Sequence, residues 1–112
     1  MKKTKLGEFE ELVLLTVASL REEAYGIEIK KTLEHRMKTR LSVGSIQSAL
    51  KRMEEKGFLT SEFGEATQQR GGKRKRIYST TNYAHRVLSE MNELRADLWK
   101  TIGNLAVELK IQ

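Results

Sequence analysis

Apolar side chains recur at Ala84, Leu88, Met91, Leu94, Leu98, Ile102, Leu105 and Leu109, seven steps over 25 residues, close to the 3.6-residue turn of an α-helix. This stripe is the strongest constraint on the fold. A single helix of about 26 residues is longer than a small domain can cover, so its stripe requires a partner surface. The simplest partner is a second copy of the chain, and a homodimer is expected. The whole chain is 112 residues long, enough for one domain with an appended element and too short for most large enzyme folds. The reading divides it into a domain over residues 1–83 and a C-terminal dimerisation helix over 84–112.

Ahead of the stripe the period is also helical, in shorter pieces. Phe9, Leu12, Val13, Val17 and Leu20 are spaced by three and four, with Leu14 and Leu15 widening the face, and predict a helix over about 8–20. Tyr25, Ile29, Leu33 and Met37, with Ile27 beside them, predict a second over about 26–38. Ser42 stands where an N-cap belongs, Val43, Ile46, Leu50 and Met53 follow a 3-4-3 pattern, and Gly57 suits a left-handed C′ position, which predicts a third over about 43–56. Three short helices with tight connections make a helix-turn-helix, the third being the reading element. Phe58–Phe63 and Arg76–Thr80 are rich in β-branched and aromatic residues and read as strands, joined by a long basic segment. The fold class is therefore mainly α with a small β-hairpin wing: a winged helix-turn-helix followed by the long helix.

Charge indicates the partner. Residues 1–83 carry 17 basic and 11 acidic side chains, while the remainder carries four of each, so the net +6 lies entirely in the front domain and favours a polyanion. On the third helix Ser45, Gln47, Ser48, Lys51, Arg52 and Glu55 point away from the apolar stripe. Gln47 can pair in two places with an adenine edge, Ser45 and Ser48 can reach bases or phosphates, and Lys51 and Arg52 can neutralise phosphates or contact guanine. A polar face alone is more often an ordinary solvated surface. The neighbouring run Arg70-Gly71-Gly72-Lys73-Arg74-Lys75-Arg76, five bases in seven residues with two glycines, strengthens the DNA reading, because bare backbone and cations at a hairpin tip can follow phosphates or enter a minor groove. The bland alternative is a solubilising loop. Lys30, Lys31, Arg36, Lys38 and Arg40 are further candidates for positioning on the backbone.

Other chemistries find little support. The chain has no cysteine, so disulfides and thiolate metal sites are excluded and a reducing cytoplasm suits it. His35 and His85 lack ligand spacing, Glu22-Glu23 and Glu54-Glu55 are adjacent rather than stacked, and no Gly-x-Ser-x-Gly elbow occurs, so neither an enzyme nor a cofactor or metal site is expected. The basic start is followed by Glu8, Glu10 and Glu11, unlike a signal peptide, and no apolar run approaches a membrane span of roughly 20 residues. Trp99, the sole tryptophan, sits beside the long stripe. It reads either as interface packing or as an aromatic plate on which a planar apolar compound stacks between two long helices. Gly103 nearby permits close helix approach or forms a weak point.

Four segments together resemble the PadR family of bacterial transcriptional regulators, in its small-subunit branch. They are residues 6–15, LGEFEELVLL; residues 24–29, AYGIEI, similar to the family's YGYEI; residues 41–59, LSVGSIQSALKRMEEKGFL, similar to GTLYPALKRLEEKGLI; and residues 72–81, GKRKRIYSTT, similar to GRRRKYYxLT. Gln47-Ser48 stand in place of the family's Tyr-Pro, and Thr80 and Ala84 in place of the Leu and Gly of LTxxG. The resemblance implies a homodimeric repressor on double-stranded DNA, with an inverted-repeat operator, whose binding is relieved by a small aromatic or hydrophobic effector. The alternative is a winged-helix module that binds protein, or nucleic acid without sequence preference.

Overall fold

Four helices and one hairpin follow in the order helix, helix, helix, strand, strand, helix, in a computed structural model that describes residues 6–64 and 75–111, with side chains through Gly103. Helix α1 spans Glu8–Leu20, α2 Gly26–Met37 and α3 Val43–Glu55; strands β1 Leu59–Phe63 and β2 Arg76–Thr80 pair antiparallel; α4 runs Asn82–Ile111. A short 3-10 turn, Arg21–Glu23, links α1 to α2.

Each boundary has a local cause. At the start of α1 the Glu10 carboxylate accepts the Gly7 N–H at 2.9 Å, and Glu8, Glu10 and Glu11 place negative charge at the positive end of the helix dipole. Helix α2 stops at Met37, one residue short of expectation, because Lys38 adopts the left-handed conformation with φ 57°. The turn into α3 is held by Glu34, whose carboxylate accepts the Leu41 N–H at 2.8 Å and the Lys30 ammonium at 3.1 Å. Ser42 caps α3 as expected, its hydroxyl accepting the Ser45 N–H at 3.0 Å. At the other end Gly57 has φ 86°, the Phe58 N–H reaches the Met53 carbonyl at 2.8 Å and the Gly57 N–H reaches Glu54 at 3.1 Å, the paired bonds of a Schellman motif. Phe58 therefore closes α3, and the strand expected from residue 58 begins at Leu59.

The core lies where the three short helices meet the hairpin. Val13, Leu14 and Val17 of α1, Ile29 and Leu33 of α2, and Ile46, Ala49, Leu50 and Met53 of α3 are buried together with Phe58, Leu59, Tyr78 and Ala84. Each large side chain there contributes roughly 1.5–3 kcal/mol through apolar surface removed from water. Phe58 stacks on Tyr83, ring centres 4.9 Å apart, which joins the end of α3 to the start of α4. Four members of the apolar patterns fall outside this core: Leu15, Ile27, Met37 and Val43 are exposed. Val43 is the first residue of α3 and borders an open cleft with Gly26, Ile27 and Lys30 of α2. The other three sit on flanks that no neighbouring element covers among the described residues.

The hairpin is bolted to the helices by backbone. Its register pairs Leu59 with Thr80 and Phe63 with Arg76. The Tyr78 N–H donates to the Ala24 carbonyl at 2.9 Å and Tyr25 bridges Ile77, so the connection between α1 and α2 acts as a third, one-residue strand. The Thr81 hydroxyl donates to the Gly57 carbonyl at 2.8 Å and accepts the Ala84 N–H at 3.1 Å, starting α4 where the hairpin ends. The first turns of α4, through Val87 and Leu88, pack on the core, so contacts with the front domain continue past residue 83.

Candidate nucleic-acid interface

One face of α3 is committed to the core through Ile46, Ala49, Leu50 and Met53, which forces Gln47, Ser48 and Lys51 outward. They border an open cleft of ≈ 400 Å³ with Glu54, and β2 supplies Arg76 and Tyr78 across it. Gln47 is shared with two further clefts, one reaching Tyr25, Lys75 and Arg76, the other reaching Ile27, Lys30 and Val43. It stands at the junction of α2, α3 and the wing. A Cβ added at Gly26, the first residue of α2, would lie 3.0 Å from the end of the Gln47 side chain, so this glycine makes room for it.

Arg76 is held in place rather than free. Its guanidinium donates to the Ser61 hydroxyl at 2.8 Å, Ser61 donates to Glu54 at 2.7 Å, Glu54 lies 4.0 Å from the guanidinium, and the Phe63 ring lies under it at 4.5 Å. Lys75 stands over the Tyr25 ring at 4.8 Å. These contacts couple the root of the wing to α3 and to the start of α2. Tyr78, beneath them, has its phenol pushed above the ordinary value by burial, which outweighs the opposing field of Arg76.

Two of the expected site residues are engaged elsewhere. The Ser45 hydroxyl donates to the Ser42 carbonyl at 2.9 Å, completing the cap of α3. Arg52 points toward α1, its Nε 2.8 Å from Glu10, which also receives Lys56 at 3.1 Å. Burial pushes the Glu10 carboxyl up, but hydrogen bonds from Arg52, the Gly7 backbone and Lys56 outweigh it and lower its pKa to about 2. Glu55 is exposed. Arg70, Gly71, Gly72, Lys73 and Arg74 lie outside the described residues. Sequence reasoning did not assign Glu10, Glu54 or Ser61; the spacing of Glu10 from Gly7, a helix-start pattern, is a signal that could have found one of them.

A second exposed surface lies along α4. Leu88 and Met91 are half-buried, whereas Leu94, Leu98, Trp99 and Ile102 are exposed, Trp99 by 65%. Leu98, Trp99 and Ile102 line a shallow apolar cleft of ≈ 350 Å³ with Arg95 and Thr101. Leu105 and Leu109 fall among the residues whose side chains are not described. Arg95 ties α4 to α1: it grips buried Glu11 through both nitrogens, one at 2.6 Å, and this partner raises its pKa above the usual arginine value. Among the described residues no helix is long and apolar enough to cross a membrane, and no three His, Cys, Asp or Glu side chains converge as a metal site.

The pattern of the transcriptional regulator PadR-like family matches residues 14–90. Solved structures share the fold. A PadR family transcriptional regulator from Eggerthella lenta is 29% identical, with TM-score 0.65 over 88% of this chain and 86% of its own. One from Clostridium difficile is 28% identical, with TM-score 0.59 over 92% and 98%. A PadR-like regulator from Bacillus cereus is 24% identical, with TM-score 0.69 over 88% and 90%, a likeness of fold. No sequence among the curated proteins compared matches the chain.

Proposed function

The chain belongs to the PadR-like family of transcriptional regulators, which are not enzymes, and from this premise we propose that it is a homodimeric repressor that reads an inverted-repeat operator in double-stranded DNA. The observation that carries the reading is the exposed edge of Gln47, Ser48 and Lys51 lying across an open cleft from Arg76 at the root of the wing. Helix α3 enters a major groove, Gln47 offers its carboxamide to an adenine edge, and Ser48 and Lys51 contact bases or phosphates. Residues 70–76 of the wing grip the adjacent backbone or minor groove. The Arg76–Ser61–Glu54 chain sets the wing root relative to α3, so the two contacts reach DNA in fixed register. Arg52 and Ser45, also expected at the DNA, are held by the Glu10 carboxylate and the Ser42 carbonyl.

In this reading residues 1–83 bind DNA and residues 84–112 form the dimer through Leu88, Met91, Leu94, Leu98, Ile102, Leu105 and Leu109. The support is the exposed apolar edge of α4, which a second copy would cover. A planar apolar effector stacks on Trp99 between the two helices and relieves repression by favouring a dimer whose reading helices no longer match the operator spacing; its effect is bounded by its differential affinity for the two geometries.

Selection of bound duplexes from a random pool at near-physiological salt tests the proposal. Recovery of an inverted repeat with half-sites about one helical turn apart supports it. Retention that depends on salt with no enriched sequence overturns it in favour of a module that binds nucleic acid by charge alone. With four or five phosphates contacted per protomer, log K should fall against log salt with a slope of roughly −7 to −9.

A further inference from the structure

Two apolar side chains at the amino end of α3 are left in water: Val43 is 59% exposed and Ile27 of α2 is 44% exposed. With Gly26, Lys30, Ile46 and Gln47 they line one open cleft of ≈ 230 Å³. Val43 has no place in the core, although its spacing to Ile46 and Leu50 joins it to the buried stripe. Hydrogen bonds fix the helix start that carries it. Ser42 caps α3 with its hydroxyl 3.0 Å from the Ser45 N–H, and the Ile46 N–H reaches the Ser42 carbonyl at 3.3 Å. Val43 and Gln47 are four residues apart, neighbours on one face of the helix.

A major-groove edge presents one apolar group, the 5-methyl of thymine, among hydrogen-bonding atoms. A valine can discriminate there only by packing on that methyl, since it has nothing to donate or accept. Resting on the reading that α3 enters the groove, we propose that Val43 is a specificity-determining residue that packs on the 5-methyl of a thymine beside the base that Gln47 contacts. The occupant follows from continuity: the valine borders the same cleft as Gln47. Four residues advance an α-helix by roughly 6 Å, and base pairs are roughly 3.4 Å apart. The thymine therefore lies within about two base pairs of the Gln47 contact. Lys30 on the rim is tied to Glu34 at 3.1 Å, and of the two exposed apolar side chains in the cleft Val43 is the one carried by α3 itself.

The test uses the full chain and the operator recovered by selection. Each thymine of the half-site is replaced in turn by deoxyuridine, which removes only the methyl, and binding is measured for the unaltered protein, Val43→Ala and Gln47→Ala. At one position within two base pairs of the Gln47-dependent base, uracil should weaken binding by the unaltered protein about fourfold, the worth of one buried methyl, and should have no further effect on Val43→Ala. Uracil effects that are the same in both proteins at every position overturn the Val43 assignment, while relaxed preference in Gln47→Ala keeps the reading of α3. If Gln47→Ala leaves the preference unchanged, the reading of α3 fails and the Val43 assignment falls with it. Val43→Ala removes a side chain that the core does not use, and an unchanged melting curve separates loss of recognition from loss of fold.

Discussion

The beginning and the middle of α4 carry one apolar period and meet two different solvents. Ala84 is fully buried and Tyr83, Val87 and Leu88 pack on the core, whereas Leu94, Leu98 and Ile102, further along the same stripe, lie in water. Arg95 clasping Glu11 marks where the body of α1 ends beneath the helix. Periodicity tells which side chains share a face; the length of the neighbouring helices decides how much of that face is covered. The exposed half keeps the apolar period with no covering neighbour among the described residues, and in the proposed dimer it is the surface that the second copy covers.

Leu50→Ala draws this contrast most strongly. Leu50 is fully buried at the centre of α3, and its truncation should cost about 2–5 kcal/mol, read as a fall in the denaturation midpoint. Leu98→Ala makes a similar deletion on the exposed half; sedimentation on dilution should show self-association weakened by roughly tenfold or more, with the helical content of the protomer retained. If Leu98→Ala instead leaves association unchanged, the two halves of α4 differ in burial without differing in role.

Smaller effects separate Glu10 from its neighbour Glu11, which pairs with α4. The pKa of Glu10 is lowered from 4.5 to about 2, so folding is favoured by its charge above pH 4.5 and loses that contribution as pH falls from 4.5 toward 2. Glu10→Gln should flatten this part of the stability profile and cost roughly 1 kcal/mol at neutral pH, a modest figure because Arg52 and Lys56 remain partly in water. A titration of the melting temperature with pH for both proteins checks the sign. Smallest of all, Val43→Ala should change stability by no more than about 0.5 kcal/mol, whereas Ile46→Ala, three residues along the same pattern, should behave like Leu50→Ala.

Much of the fold was legible because it is governed by local rules. The Ser42 cap, the Gly57 terminus and the start of α1 at Glu8 are set within a few residues of chain, and their chemistry is visible in the residue types. The site was legible in part. Gln47, Ser48 and Lys51 emerge on the outer face of α3 because Ile46, Ala49, Leu50 and Met53 claim the inner one. Arg52 occupies the same polar arc and yet turns to Glu10, a partner 42 residues distant in the chain. Glu54, Ser61 and Arg76 could not be joined from spacing, since their contact depends on the hairpin folding back beside α3.

Period and capping chemistry in the chain thus set the order of elements and the inward face of each short helix, and composition alone places the positive charge in residues 1–83. Which cations remain available to DNA, where Val43 ends up and how far α4 is covered depend on packing between segments remote in sequence. The physical reason is range: helix periodicity and caps act over three to five residues, whereas ion pairing and burial are properties of surfaces that meet only after the chain has folded.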